Sequence, residues 1–139
     1  MKSIYLLCIV TITIGSARAQ SPVDPEKNLS SKSITLPAPK KPVANYITSV
    51  QVGNLLFLSG HGNCSGTLAT MDTGKLGKSL TIEQGYQAAR NVGLCMLATI
   101  KDAVGDLNKV KRIVKLMSLV NSTPDFNEQH LVTNGASQL

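Results

Sequence analysis

Apolar residues in the middle of the chain show two patterns, the first typical of β-strands and the second typical of a helix. Residues 46–52 (YITSVQV) are rich in β-branched side chains, and four apolar residues follow at 55–58 (LLFL). Between them stands Gly53-Asn54, a pair that tolerates the positive φ angles of a two-residue turn. The pattern predicts a β-hairpin whose second strand ends at residues 59–62 (SGHG).

The clearest helix begins at Thr81. The sequence Thr-Ile-Glu-Gln matches a capping box, in which the Thr hydroxyl and the Gln side chain satisfy backbone donors of the first turn. Gly105 is suited to end the helix in a left-handed conformation. Gly93 predicts close packing of the helix against a sheet. Apolar residues recur at the helical period at Ile82, Tyr86, Ala89, Gly93, Leu97, Ile100 and Val104.

Other segments predict a further helix and two strands. Residues 33–36 are a candidate first strand, and the prolines that follow favour an extended surface segment. Residues 110–120 (VKRIVKLMSLV) predict a long strand that is apolar on both faces and lies in a sheet centre or at an interface. Thr123-Pro124 is typical of a helix start. We expect this helix to continue to Leu139, where no glycine caps it. The order β, β-hairpin, α, β, α predicts an α+β fold that lacks a returning strand.

The N-terminal segment has the form of a secretory signal. Lys2 precedes an apolar run at residues 4–14 that is too short to span a bilayer, and Ala-Arg-Ala at 17–19 suits a signal peptidase. We expect cleavage near Ala19, export to the periplasm or medium, and no stable membrane anchor afterwards; an uncleaved anchor is the alternative. Residues 20–31 are predicted as a linker, and residues 32–139 as one domain.

Charge and cysteine content narrow the function classes. The formal net charge of +6 is spread along the chain, and aromatic residues are few. We therefore expect a small-molecule substrate and no nucleic-acid partner. No CxxC or HExxH pattern is present, so no metal site is expected. Cys64 and Cys95 either form a disulfide in an oxidising compartment, or Cys95 is a small buried hydrophobe.

Several of these pieces together resemble the RidA/YjgF family of reactive-intermediate deaminases. They are Ala38-Pro39 ahead of Tyr46, residues 52–60 (VGNLLFLSG), the helix start at Thr81, and Pro-Asp-Phe at 124–126. The resemblance implies a chorismate-mutase-like fold, in which a mixed sheet is backed by two helices. It also implies a homotrimer with ligand sites in the clefts between subunits. The implied reaction is hydrolysis of small 2-imino and enamine acids to 2-oxo acids and ammonia, without metal or organic cofactor.

The same resemblance implies four substrate-binding residues. Tyr46 matches a site tyrosine that holds substrate or water, although the sequence without the resemblance favours a half-buried strand aromatic. Ser59 offers a hydroxyl to a carboxylate or a water, and Gly60 permits close approach of a ligand to the backbone. Asn134 matches a site asparagine once a small insertion is allowed. We interpret His61 as structural.

One departure from the family pattern concerns the arginine that holds the substrate carboxylate. In the family this arginine follows the second helix, and a final strand with a functional glutamate comes after it. Arg90 and Arg112 do not match that position, so we assign no catalytic residue and expect the family arginine beyond Leu139. We expect either a chain that is incomplete at its C-terminus, without the last strand, or a protein that has lost the site.

Three functions follow as hypotheses. The first is an exported RidA-like deaminase. The second is a non-catalytic trimer that binds small carboxylates on the same fold, or an inactive fragment. The third is a secreted ribonuclease, which is disfavoured because the chain has only two histidines, His61 and His130.

Overall fold

The computed structural model describes residues 23–39, 41–42, 44–64 and 73–139, so the proposed signal at residues 1–19 lies outside the described residues. The elements are helix α1 (Pro25–Ser31), strands β1 (Ser49–Val52) and β2 (Leu55–Leu58), helix α2 (Ile82–Val104), a 3₁₀ helix (Leu107–Lys109) and helix α3 (Gln129–Ser137). The predicted α+β class is confirmed. No helix in these ranges is long and apolar enough to cross a membrane.

Strands β1 and β2 form the predicted hairpin. Their antiparallel register pairs Ser49 with Leu58 and Val52 with Leu55, which leaves Gly53 and Asn54 as a two-residue turn. Gly53 has a φ of +56°, whereas Asn54 is not among the residues with positive φ. A positive φ at the first turn position alone is the pattern of a type II′ turn, which matches the twist of the paired strands.

Helix α2 has the predicted cap at each end. The Thr81 hydroxyl accepts a hydrogen bond from the Gln84 backbone N–H at 3.2 Å, and the Gln84 side chain accepts one from the Thr81 N–H at 2.9 Å. Gly105 ends the helix with a φ of 82°. The buried face, however, is broader than the predicted stripe, because α3 and the loop after β2 both contact α2. Its buried residues are Gly85, Gly93, Cys95, Ala98, Thr99 and Ile100.

Glycines determine how closely α2 and α3 approach. A Cβ on Gly135 would overlap the carbonyl oxygen of Tyr86 and lie 3.0 Å from the backbone nitrogen of Arg90. A Cβ on Gly93 would lie 3.3 Å from the Cα of Ala136. The prediction that Gly93 packs against a sheet is therefore wrong, because α3 presents small residues that let its backbone approach this position.

The residues predicted as a linker include helix α1. The Asp24 side chain accepts a hydrogen bond from the Lys27 N–H at 2.9 Å, and Pro25 stands at the first helical position. Both features favour a helix start. The strand predicted at residues 33–36 is absent from the structure, where these residues form no ladder.

The segment ahead of α3 also differs from the prediction. Residues 110–120 form no strand in the described structure, where β1 and β2 pair only with each other. The second predicted helix begins at Gln129 instead of at Thr123-Pro124. The Phe126 N–H donates to the Thr123 carbonyl at 3.2 Å, so the predicted cap closes a turn instead of starting the helix.

The prediction that this helix continues to Leu139 is wrong as well. Helix α3 ends at Ser137, and the Gln138 N–H closes its last turn on the Asn134 carbonyl at 3.1 Å. Leu139 lies outside the helix and turns back towards α2, since a Cβ on Gly93 would lie 2.5 Å from its Cδ1 atom. The apolar side chain of Leu139 is thus covered by the neighbouring helix α2, although no glycine caps α3.

A charged pair fastens α1 to the C-terminal end of α2. The Glu26 carboxylate accepts hydrogen bonds from Lys101 Nζ at 2.7 Å and from the Leu107 N–H at 3.2 Å. These bonds, the Lys101 bond first, hold the pKa of Glu26 below its ordinary value of 4.5. Ionised Glu26 thus stabilises the fold above the unfolded-state pKa, and this contribution is lost as the pH falls through the lower folded-state pKa.

We predict that Glu26→Gln lowers the urea midpoint at pH 7, because Gln keeps the shape but loses the charge-assisted bond to Lys101. The difference from the wild type should shrink as the pH falls below 4.5 and through the lower folded-state pKa of Glu26, where the wild-type carboxylate becomes protonated. Asp102→Asn is the matched control, since no described ion pair involves that neighbouring carboxylate. A midpoint difference that is independent of pH would contradict the role of the charge.

We predict that Gly135→Ala destabilises the protein by about 1–3 kcal/mol, since the added methyl meets a backbone carbonyl that cannot rotate away. This cost exceeds the gain of about 1 kcal/mol in helix propensity. Gly60→Ala is the control, because a Cβ there has no neighbour within 4 Å. Thermal unfolding of both variants gives the comparison, and an unchanged or raised Tm for Gly135→Ala would contradict the packing argument.

Candidate functional site

Three of the predicted site residues lie near one end of the hairpin. Opposite the Gly53-Asn54 turn, the Ser59 N–H and Ser59 Oγ both donate to the Thr48 carbonyl, at 3.0 and 3.3 Å. Tyr46 precedes Thr48 by two residues, and Gly60 follows Ser59. We call this group, Tyr46, Thr48, Ser59 and Gly60, the open end of the hairpin.

The open end presents uncharged hydrogen-bonding groups. Tyr46 is 49% exposed, which makes it accessible to a ligand. The Ser59 hydroxyl hydrogen already points to the Thr48 carbonyl, so its oxygen can accept a further hydrogen bond but has no second hydrogen to donate. Gly60 is exposed, and no atom lies within 4 Å of the position that a Cβ would take. A ligand can therefore approach the backbone closely at Gly60.

Asn134 lies in a different part of the structure. It belongs to α3, which packs along α2 and contacts neither strand of the hairpin. Its backbone carbonyl accepts a hydrogen bond from the Gln138 N–H at 3.1 Å. The described contacts thus join Ser59 to Thr48, two residues after Tyr46, and do not join Asn134 to this group. The role of Asn134 at a cleft between subunits stays a prediction.

The family arginine has no counterpart that the structure can place. Arg90 stands on α2, and Arg112 lies in residues 110–120, so neither follows the second predicted helix as the family pattern requires. Leu139, the residue after which the arginine is expected, is half-buried and lies beside Gly93 of α2. The expectation of an arginine beyond Leu139 therefore stays a prediction.

The ring of His61 is turned towards α2. Its Nδ1 lies 2.8 Å from the Ser59 carbonyl oxygen, and its Nε2 lies 2.9 Å from Thr99 Oγ1. Thr99 is 5% exposed, and its hydroxyl lies 3.1 Å from the Cys95 carbonyl oxygen. Both ring nitrogens therefore have partners within the protein, and the interpretation of His61 as structural stays a prediction.

The sequence interpretation missed Thr99. Its hydroxyl stands one helical turn after Cys95, and a polar side chain on a buried helix face needs a partner. That spacing was the available signal. It does not reveal that the partner is an imidazole from a loop 38 residues earlier.

The structure resolves the two alternatives for the cysteines. Cys64 and Cys95 form a disulfide, with their Cα atoms 5.9 Å apart. The bond joins the loop after β2 to the middle of α2, and the Cys64 N–H also lies 3.1 Å from Cys95 Sγ. Residues 59–64 are therefore linked to α2 twice, once covalently and once through the His61–Thr99 pair.

A groove of about 480 Å³ lies between α2, α1 and residues 34–39. Its charged residues include Glu26 and Lys101, which already neutralise each other. It is therefore a weaker candidate for an anionic ligand than the open end. In the described ranges, no group of three His, Cys, Asp or Glu residues is placed to hold a metal ion.

Comparison with known proteins gives the family. The family model described as YjgF/chorismate mutase-like, putative endoribonuclease, matches residues 26–139. The chain is 45% identical over 118 residues to protein TCP17 of Trypanosoma cruzi, which covers 81% of this chain and 69% of that protein. The chain belongs to the YjgF/chorismate mutase-like family.

Two solved structures are similar to this fold. A protein of unknown function from Agrobacterium tumefaciens superposes with a TM-score of 0.70 at 40% identity, over 81% of this chain and 69% of that one. A putative endoribonuclease from Shewanella oneidensis MR-1 superposes with a TM-score of 0.77 at 31% identity, over 84% and 76% of the two chains. These likenesses confirm the chorismate-mutase-like fold that the sequence implied.

We predict that Cys64→Ser lowers the free energy of unfolding by about 2–4 kcal/mol, because the disulfide restricts the unfolded chain. Urea unfolding of wild type and variant measures the loss. The wild type should lose a similar amount in dithiothreitol, whereas the variant should be insensitive to it. Titration of two free thiols at residues 64 and 95 in the unreduced wild type would show that the bond is absent.

Proposed function

We propose that the protein binds small 2-imino or enamine acids at the open end of the hairpin and hydrolyses them to 2-oxo acids and ammonia. The observation that carries this proposal is that the open end offers only uncharged hydrogen-bonding partners. They are the Tyr46 phenol, the Ser59 hydroxyl oxygen and the exposed backbone of Gly60. Membership of the YjgF/chorismate mutase-like family supports the choice. The reaction requires no metal or organic cofactor.

The chemistry suits a site of this kind. Water adds to the imine carbon and gives a carbinolamine that carries a hydroxyl and an amino group. The C–N bond then breaks, ammonia leaves, and the hydroxyl loses its proton to become the carbonyl of the 2-oxo acid. Because a protonated imine is already electrophilic, the site must orient substrate and water more than it must activate a nucleophile.

Each open-end residue has a role in this proposal. The Ser59 oxygen accepts a hydrogen bond from the attacking water, since its own hydrogen is engaged by Thr48. The Tyr46 phenol donates to the substrate carboxylate. The backbone at Gly60 lies close to the ligand because no side chain intervenes. Asn134 would join the site from α3 at a cleft between subunits.

A second candidate function is binding of small carboxylates without turnover. None of Tyr46, Ser59 and Gly60 carries a charge, and both His61 nitrogens contact other protein groups. Both features favour binding without turnover. Neither arginine of the described ranges matches the one that anchors the carboxylate in this family.

We also propose a homotrimer. The described residues bury few hydrophobic side chains, whereas residues 110–120 expose a run of them, with Val114 75% and Leu119 91% exposed. A contiguous exposed apolar segment of this kind is typical of an interface. The exposed apolar residues of the segment are Ile113, Val114, Leu116, Met117 and Leu119.

Export after cleavage near Ala19 is part of the same proposal. The Cys64–Cys95 disulfide supports it, because disulfides persist mainly in oxidising compartments. A small-molecule substrate, not nucleic acid, fits the dispersed charge and the scarcity of aromatic residues.

The test is ammonia release from 2-iminopropanoate generated in situ by an amino-acid oxidase. The protein should accelerate release over buffer, and Tyr46→Phe should lower the rate about three- to tenfold through loss of one hydrogen bond. Tyr86→Phe is the matched control, because that phenol lies on α2 and donates to Gln138 at 3.5 Å.

The alternatives give different results in the same preparation. No acceleration, together with thermal stabilisation by pyruvate, would replace the deaminase with the carboxylate-binding protein. Cleavage of single-stranded RNA without ammonia release would contradict both. A sedimentation measurement that finds only monomer would reject the trimer.

A further inference from the structure

His61 connects the open end of the hairpin to α2 through both of its ring nitrogens. Nδ1 lies 2.8 Å from the Ser59 carbonyl oxygen, and Nε2 lies 2.9 Å from the hydroxyl of Thr99, a residue that is 5% exposed. The ring is therefore held at one edge by the strand end that carries the site and at the other by a buried helix position.

The partner at Nδ1 determines where the proton resides. A carbonyl oxygen only accepts, so Nδ1 carries a hydrogen and donates it to the Ser59 carbonyl. In the neutral ring Nε2 then carries no hydrogen and can only accept one from the Thr99 hydroxyl, whose single hydrogen is shared between Nε2 at 2.9 Å and the Cys95 carbonyl at 3.1 Å. The bond to Thr99 fixes the plane of the ring, and the plane of the ring fixes the direction in which Nδ1 donates.

The Ser59 carbonyl in turn determines the orientation of the next N–H group. The described residues contain no cis peptide bond, so the Ser59 carbonyl and the Gly60 N–H point in opposite directions across one planar unit. When His61 holds the carbonyl inward, the Gly60 N–H points away from α2. Gly60 is exposed, and its N–H makes no hydrogen bond in the described structure.

We propose that His61 is a positioning residue, which acts with Thr99 to hold the Ser59–Gly60 peptide so that the Gly60 N–H faces the ligand. This inference rests on the proposed function, because it concerns binding of the substrate carboxylate at the open end. The disulfide at Cys64 keeps the same loop against α2, so the His61–Thr99 pair adjusts the orientation of a peptide whose location is already set.

A purely structural histidine and a positioning histidine should respond differently to substitution. His61→Phe keeps a planar ring but removes both hydrogen bonds. His61→Asn keeps a donor near the place of Nδ1 and loses the reach to Thr99. Thr99→Val keeps the volume at the helix and removes the contact at Nε2 together with the bond to the Cys95 carbonyl within the same helix. His130→Phe, at an exposed position on α3, is the control for loss of a histidine.

The experiment is a pyruvate titration followed by ¹H–¹⁵N NMR, with a thermal melt of each variant. In the wild type the Gly60 amide should shift with pyruvate, and the ¹⁵N spectrum of His61 should show the hydrogen on Nδ1. His61→Phe should raise the Kd about five- to tenfold, as expected for one hydrogen bond left misaligned. His61→Asn should restore most of the affinity, and Thr99→Val should be intermediate.

The outcomes separate this inference from the proposed function. Pyruvate binding in the wild type with an unchanged Kd in His61→Phe would overturn the positioning role and leave the proposed function standing. A Kd that follows the melting temperature across the variants, without rescue by Asn, would overturn it equally. A wild type that binds no pyruvate would overturn the positioning role, and the ammonia-release assay then decides the proposed function separately. Should His61→Phe fail to fold, Thr99→Val carries the comparison.

Discussion

The described structure depends on helix α2 and on the contacts that fasten other segments to it. Its length is fixed by the capping box at Thr81 and the left-handed Gly105. Helix α3 packs against its backbone at Gly135, α1 is held at Lys101, and the loop after β2 is bonded at Cys95. These three attachments use different physics: close packing, charge and a covalent bond. Changes of pH or of redox conditions should therefore loosen different segments.

The elements that sequence predicts well are those whose signals are local. The hairpin turn needs only Gly53 and its flanking strands, and the ends of α2 are set by groups within one turn of each end. The strand predicted at residues 110–120 needed more, because an apolar run becomes a strand only where another strand offers its edge. The described strands pair only with each other, and residues 110–120 pair with neither of their outer edges. The Thr123-Pro124 helix start failed for a related reason, since the same residues also suit a turn.

The residues of the candidate site fall into the same two groups, those with a local sequence signal and those without one. Tyr46, Ser59 and Gly60 could be proposed because a family pattern carries them on one hairpin, and the hairpin brings its own ends together. Thr99 could not, because its contact with His61 joins positions 38 residues apart. Nor could Glu26, since its partners Lys101 and Leu107 lie far along the chain. Asn134 lies between these cases: its helix was predicted, but no described contact joins that helix to the hairpin.

Because the open end carries no charge, the contacts that hold the loop after β2 against α2 matter for ligand binding in the proposed function. A guanidinium attracts a carboxylate over several ångströms and tolerates some misplacement, whereas a neutral N–H or phenol binds only when distance and angle are right. A site built from Tyr46, Ser59 and Gly60 must therefore obtain its selectivity from orientation. Orientation requires that the peptide after β2 be held from behind, and the residues behind it are His61, Thr99 and the Cys64–Cys95 bond. Under the proposed function, the orientation of a ligand at this surface depends on contacts that a sequence pattern classifies as structural.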